Sequence, residues 1–240
     1  MNGRKFAVFD IDGTLIRWQL YHAVADELAK HGHFEEHDYK AIKEARMTWK
    51  KRDNQDSFAA YEKVLIGYVN QVLVGMPVRE LEAACQTVIG EYKDQVYTYT
   101  RNLIRELKSQ NFLLFTISAS PREIVKLLAN YYGFDDYGGS EYEIINGRYT
   151  SRKILLKRER KPEFLQQLVA KHNATYEGSV AVGDSESDIP MLEVVKKPIA
   201  FNPTKLLFEH AEEKGWKIVV ERKNVIYEME NSDGTYRLQP

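Results

Sequence analysis

Two aspartates, Asp10 and Asp12, stand one residue apart at the end of the apolar run Lys5 to Phe9, and Gly13 and Thr14 follow at once in "DIDGT". Further along, "NFLLFTIS" closes on Ser118, and "SVAVGD" closes on Gly183 and Asp184. If these runs are neighbouring strands, Asp10, Asp12 and Asp184 meet at one edge of a sheet. Carboxylates gathered in this way repel one another unless a cation sits among them. A donor set of oxygens without His or Cys suits a hard ion such as Mg²⁺, which usually arrives with a phosphate. In such a site Asp10 is placed to attack phosphorus and form an aspartyl-phosphate. Asp12 then protonates the leaving oxygen and later deprotonates the water that hydrolyses the intermediate. Gly13 allows the tight exit from the strand, and the Thr14 hydroxyl can hold the loop.

A phosphoryl group in transfer spreads negative charge over its oxygens and calls for positive partners. Two are offered. After Ser118 comes "ASPRE", in which Ser120 reads as an N-cap, Pro121 as the first helical residue and Glu123 as the capping-box partner. A helix would then start directly beneath the strand end, with its free amides toward the anion. The other is a lysine from the basic stretch Arg148 to Lys161, which has seven Lys or Arg against one Glu. Lys161 is preferred, because Pro162 fits the first turn of a helix carrying Phe164, Leu165 and Leu168; Lys157 and Lys153 are the alternatives.

The elements that must position these groups follow from the apolar patterning. Short continuous runs at Lys5–Phe9, Asn111–Ser118, Ser179–Asp184, Lys197–Phe201 and Trp216–Val220 read as strands covered on both faces. Helical patterns lie between them, so the fold class is α/β, a Rossmann-like parallel sheet sandwiched by helices. The stretch from Trp18 to about Val96 has no strand-like run. Its apolar faces (Leu20, Val24 and Leu28; Tyr61, Leu65 and Val69; Leu81, Cys85 and Val88) predict an inserted all-α cap, placed as a lid above the strand ends. The expected division is a core of residues 1–16 and 97–240 with a cap of residues 17–96. "YEIINGRYTSRK" predicts a hairpin turning at Asn146-Gly147, and "NVIYEMENSDGTYRLQ" a second one turning at Asp233-Gly234.

In order, "DIDGT", "TIS", Lys161 before a helix and "GDSESD" resemble the four motifs of the haloacid dehalogenase superfamily. The helical insert after the first of them is similar to that of its phosphoserine-phosphatase-like subclass, and "AFNP" (Ala200 to Pro203) is similar to this branch as well. The resemblance implies Asp10 as nucleophile and Mg²⁺ ligand, and Asp12 as acid/base with its backbone carbonyl on the metal. It implies phosphate binding by Ser118, Ala119, Lys161, Gly13 and Thr14. Asp184 would complete the metal ligands, and Asp188 would stand behind them, orienting a metal-bound water or Lys161. Two positions depart from the pattern. Gln19 aligns where close phosphoserine phosphatases carry a Glu facing the substrate ammonium, and Ser187 replaces an Asn before the last Asp.

Bulk properties narrow the class. With 34 basic and 35 acidic residues the net charge is −1, which argues against a nucleic-acid or membrane-surface binder. Cys85 is the only cysteine and reads as a buried apolar residue in a reducing compartment. No leader or membrane span is visible, so a cytoplasmic monomer or homodimer acting on a small phosphomonoester is expected. A phosphotransferase or mutase and a non-catalytic anion-binding protein are the competing readings; a carbon-halide hydrolase would not need Asp12. His31, His33 and His37 read as a polar interhelical turn rather than a zinc site. Arg46 and Arg52 are candidate substrate contacts, with a solvent-exposed helix face as the alternative. Asp188 could also cap the helix through Met191 and Leu192, and Ser185 and Glu186 read as loop.

Overall fold

The period-two alternation of the first strand decides how the molecule is layered. In the computed structural model, which describes residues 3–51, 57–232 and 235–238, strand β1 (Arg4–Phe9) sends Phe6 and Val8 into one apolar cluster and Ala7 and Phe9 into another. A strand buried on both faces must be covered on both faces, as parallel sheets are. Helices α5 (Thr98–Ser109) and α6 (Arg122–Tyr132) contribute Ile104, Leu107, Ile124 and Leu128 to the Phe9 side. Helices α7 (Lys161–Lys171), α8 (Ile189–Leu192) and α9 (Lys205–Lys214) contribute Leu165, Leu168, Met191, Leu192 and Leu207 to the Phe6 side.

The other strands are β2 (Leu113–Pro121), β3 (Asp136–Ile145), β4 (Arg148–Ile154), β5 (Ala174–Gly183), β6 (Lys197–Phe201), β7 (Lys217–Arg222), β8 (Val225–Ser232) and β9 (Thr235–Leu238). They lie in the order β4-β3-β2-β1-β5-β6-β7-β8-β9. The neighbours from β3 through to β7 pair in parallel, with Phe9 opposite Thr116 on one side and Val182 on the other. Antiparallel β4 closes one edge, and β8 and β9 close the other. The chain leaves β1 for β2 on one side and returns to β5 on the other, so the carboxyl ends of these strands frame the crevice where open α/β sheets bind ligands.

The sequence reading lacked β3 as a member of the parallel sheet. Its start, "DYGGS", is poor in β-formers. It is a strand because Gly139 lets the chain pass close to α6, where an added Cβ would lie 2.6 Å from Arg122 Cα. The Asn146-Gly147 hairpin is present, whereas the Asp233-Gly234 turn lies outside the described residues, between paired β8 and β9.

Between β1 and α5 the described chain forms helices α1 (Leu20–Lys30), α2 (Glu36–Lys51), α3 (Ser57–Leu73) and α4 (Val78–Tyr92). Their buried residues, among them Leu20, Val24, Leu65 and Leu81, belong to the same cluster as Phe9. Two attachments fix them to the sheet. At the base, the Arg17 N–H donates to Gln95 O (2.9 Å) and the Tyr97 N–H to Leu15 O (3.0 Å). Buried Glu221 of β7 binds the Arg17 guanidinium and accepts from the Thr98 and Tyr99 amides at the start of α5. At the far end the α3–α4 turn is sewn to the β3–β4 hairpin: Gly75 N–H donates to Tyr149 O (2.8 Å) and Val78 N–H to Gly147 O (3.0 Å). No helix among the described residues is long and apolar enough to cross a membrane.

Candidate active site

Strand β1 delivers Asp10 and Asp12 to the carboxyl edge, β2 delivers Ser118 and Ala119, β5 delivers Asp184, and the first residue of α7 is Lys161. Their side chains meet. Lys161, only 2% exposed, places Nζ 2.8 Å from Asp10 Oδ1 and 2.5 Å from Asp188 Oδ1. Lys157 and Lys153, the two alternatives, are exposed. One oxygen each of Asp10, Asp184 and Asp188 lies within 4.8 Å of the others.

Burial and mutual repulsion leave this cluster short of positive charge. Desolvation, only partly offset by Lys161, pushes the Asp10 carboxyl up to about 8, with the charges of Asp188 and Asp12 acting in the same direction. Burial also raises Asp184, and Asp10 and Asp188 add to the shift. The Lys161 ammonium goes up despite its burial, because Asp10 and Asp188 hold it charged. Asp10, which resists ionisation although Lys161 touches it, and Asp184, raised as well, are hard oxygen donors suited to a divalent cation.

Each remaining polar group has a defined partner. Gly13 takes φ +87°, and a Cβ there would lie 2.8 Å from Asp184 Cγ, so its hydrogen is what lets the Asp184 carboxylate approach the β1 loop. The fully buried Thr14 hydroxyl donates to Asp184 Oδ1 (3.1 Å), which spends it on positioning that carboxylate. Asp188 is completely buried; besides Lys161 it accepts from the Asp184 and Ser185 amides, each at 3.1 Å. Asp188 and Ser185 cap the 3-10 turn Glu186–Asp188 reciprocally. Ser185, read as loop, is thus a cap. Glu186, also read as loop, lies in that turn and accepts from the Thr204 hydroxyl at 3.0 Å. Ser187 Oγ lies 2.9 Å from Ser185 Oγ.

Asp12 is held on both oxygens. Oδ1 accepts from the Leu20 amide at the start of α1 (2.5 Å), and Oδ2 accepts from the hydroxyls of Ser118 (3.0 Å) and Ser120 (2.7 Å). Burial raises its pKa against the pull of those donors. This overturns the expected cap at "ASPRE". Strand β2 runs on to Pro121, and α6 starts at Arg122 with Pro121 in the N-cap position. The Ser120 hydroxyl has gone to Asp12, and Glu123 accepts from Tyr149 Oη (2.8 Å) instead of closing a capping box. Ala119 is exposed at the bend between the two serines.

Helices α1, α2 and α3 correct other readings. Arg46 is no surface residue: its guanidinium forks onto both oxygens of Asp26 (2.7 and 2.8 Å) and donates to Tyr61 Oη. Arg52 lies outside the described residues. His31, His33 and His37 face Glu27, Glu80 and Asp38 respectively and do not converge. Gln19 occupies the N-cap position of α1 without a capping bond from its side chain. One residue escaped sequence reasoning altogether. Half-buried Glu62 of α3 lies close enough to the strand ends for Asp12, Lys157, Lys161 and Glu186 to act on it, and burial raises its pKa. On an amphipathic helix an acidic residue reads as solvent-facing, and no local signal distinguishes this one.

The arrangement has known counterparts. The haloacid dehalogenase-like hydrolase family model matches residues 7–193. Phosphoserine phosphatase SerB1 of Mycobacterium tuberculosis is 25% identical over 217 residues, covering 88% of this chain and 69% of that protein. A histidinol-phosphatase of Neisseria meningitidis is 26% identical over 223 residues, covering 90% and 98%. Among solved structures, a protein of unknown function from Bordetella pertussis superposes with a TM-score of 0.74 at 24% identity, covering 90% of this chain and 98% of that one. With Asp10, Asp12, Asp184 and Asp188 all inside the matched span, this chain belongs to the haloacid dehalogenase-like hydrolases.

Proposed function

We propose that the protein is a Mg²⁺-dependent phosphomonoester phosphatase that works through an aspartyl-phosphate on Asp10. The observation that carries this reading is the juxtaposition of Asp10, Asp184 and Asp188 around Lys161, an anionic, oxygen-only cluster with one buried cation. Relatives named as phosphoserine phosphatase and histidinol-phosphatase support a small phosphorylated metabolite as substrate, with phosphoserine or a similar ester as the first choice. Residues 17–96 would form the cap that closes over the core formed by 1–16 and 97–240, excluding bulk water from the reacting centre.

Asp10 and Asp184, with the Asp12 carbonyl, would hold the ion, which when bound supplies charge to balance the carboxylates and the incoming phosphate. Asp10 Oδ attacks phosphorus as the ester oxygen leaves. Asp12, held toward the substrate edge by Ser118 and Ser120, gives that oxygen its proton and then takes one from the attacking water. Lys161 neutralises charge at the transferring group and keeps Asp10 aligned. Ser118, Ala119 and the Gly13 backbone line the phosphate position. Asp188 acts through Lys161, which it anchors from behind.

Replacing Asp10 by Asn tests the mechanism. Phosphate release from an aryl phosphate in Mg²⁺ should fall to background while circular dichroism and the unfolding midpoint show a folded protein. Turnover equal to that of the wild type would overturn the assignment.

A further inference from the structure

Asp12 holds more hydrogen bonds in the free protein than it can keep once a phosphate arrives. Its Oδ2 accepts from two hydroxyls, Ser118 (3.0 Å) and Ser120 (2.7 Å), and its Oδ1 from the Leu20 amide (2.5 Å). A serine hydroxyl has a single hydrogen to give. Ser118 stands at the proposed phosphate position, so donating to a phosphate oxygen withdraws its hydrogen from Asp12. Ser120 faces no such competition. It is buried, its bond to Asp12 is the shorter of the two, and among the described residues its hydroxyl has no other acceptor.

The backbone aims the Ser120 hydroxyl. The Ser120 N–H donates to Ser118 Oγ (3.0 Å), a bond that uses a lone pair of Ser118 and so survives when the Ser118 hydrogen turns away. On the other side of the bend, Ala119 O accepts from Ser140 Oγ (2.7 Å), which itself accepts from the Leu156 N–H (3.0 Å). Pro121 pairs with Ser140 of β3, and a Cβ at Gly139 would lie 3.0 Å from Ser120 O, so β3 packs directly onto this bend. Asp12 is fixed from its own side as well, because the N–H groups of Thr14, Leu15 and Ile16 all donate to Ile11 O and fold the loop tightly around it. Two rigid segments thus meet through one short hydroxyl–carboxylate bond, the strong charge-assisted kind.

Resting on the phosphatase reading, we propose that Ser120 is the positioning residue that keeps Asp12 aimed at the leaving oxygen while Ser118 serves the phosphate. In the first step an Asp10 oxygen bonds to phosphorus and the bond from phosphorus to the ester oxygen breaks. The electron pair of that bond and the Asp12 proton both go to the ester oxygen, which departs as an alcohol. In the second step a water oxygen bonds to phosphorus and gives a proton to Asp12, and the broken bond to Asp10 returns its electron pair to the carboxylate. Ser120 supplies the direction of the Asp12 carboxyl, and proton delivery to an atom held close by depends on that direction.

The test varies how much the leaving group needs that proton. Phenyl phosphate expels a basic phenolate and 2,4-dinitrophenyl phosphate a weakly basic one, and kcat/KM in Mg²⁺ reports the steps through that departure. In S120A the ratio of kcat/KM between the two esters should shift against phenyl phosphate by about tenfold or more. S120C, which keeps the volume but offers only a weak donor, should shift it in the same direction. Loss of folded protein scales both esters alike and leaves the ratio where it was. A ratio within about twofold of the wild type in either variant would overturn the proposal. So would weaker inhibition of S120A by inorganic phosphate, which would put Ser120 in the phosphate site itself. The two readings fail distinguishably. A wild type that releases phosphate from neither ester removes the phosphatase and this proposal with it; a wild type active on both, with an unmoved ratio in S120A, removes this proposal alone.

Discussion

The strand-end site and the helical insert both bury charge, and they settle it in opposite ways. In the insert, Arg46 is matched by Asp26, whose Oδ1 also accepts from Tyr39, and Tyr61 completes the set. His22 is surrounded by the rings of Trp18, Trp49, Phe58 and Tyr61, and burial holds its pKa down to about 3, so it adds no charge at neutral pH. At the strand ends a single buried lysine faces Asp10, Asp12, Asp184 and Asp188. The set of Arg46, Asp26, Tyr39 and Tyr61 is an internally closed account of charge, as a structural network should be. The strand-end set is open, and open buried charge is retained where a ligand or ion is to complete it.

Gly13 is the sharpest point at which to break the open region. In Gly13→Ala the methyl collides with the Asp184 carboxylate at a backbone conformation, φ +87°, that alanine resists. Displacing Asp184 by even about 1 Å should lower turnover on the order of 100-fold, read as phosphate release at saturating Mg²⁺. Activity within a few-fold of the wild type would mean that Asp184 need not stand where it does. The matching change in the closed region is Arg46→Met. Loss of the forked pair should reduce unfolding free energy by about 2 kcal/mol, measured by urea denaturation, with turnover per folded molecule within twofold. If turnover collapsed instead, Arg46 would have to leave Asp26 for the substrate, and the contrast between the regions would fail.

The open region was largely legible in the sequence because its chemistry is concentrated where strands end. "DIDGT", Ser118 and Asp184 could be set on one edge from the apolar runs, whereas Lys161 is preferred over Lys157 and Lys153 through Pro162, and the role of Asp188 is implied by the family resemblance. What stayed hidden depends on partners distant in the chain. "ASPRE" is locally a good helix start, yet the carboxylate of Asp12, 108 residues away, competes for the Ser120 hydroxyl and extends β2. Strand β3 owes its place to packing on α6, which weak local propensity conceals. In the insert, Arg46 looked like a surface residue because the aspartate that buries it lies on a different helix. Glu62 is the same failure in reverse, since polarity on a helix face says nothing of what the face looks onto.

The smallest effect expected is also the one that reads the charge imbalance directly. A carboxyl whose folded pKa is raised binds its proton more tightly in the native than in the unfolded chain. Between the two pKa values folding therefore loses stability as pH rises. For Asp10 that window runs from 3.8 to about 8; Asp12 and Asp184 shift in the same direction. Lys161 does not offset this: its folded pKa is raised, so its contribution is fully present below 10.5 and constant across the window. Without divalent ions the melting temperature should fall between pH 5.5 and pH 8, by roughly a few degrees. Magnesium favours the ionised carboxylates and competes with their protons, so the increment in melting temperature on adding it should be larger at pH 8 than at pH 5.5. The Asp10→Asn protein should show a flatter profile and a smaller increment, because the group that titrates has gone. An increment independent of pH would mean that the carboxylates are already ionised without the metal, and that the strand-end region is as closed as the Arg46–Asp26 network.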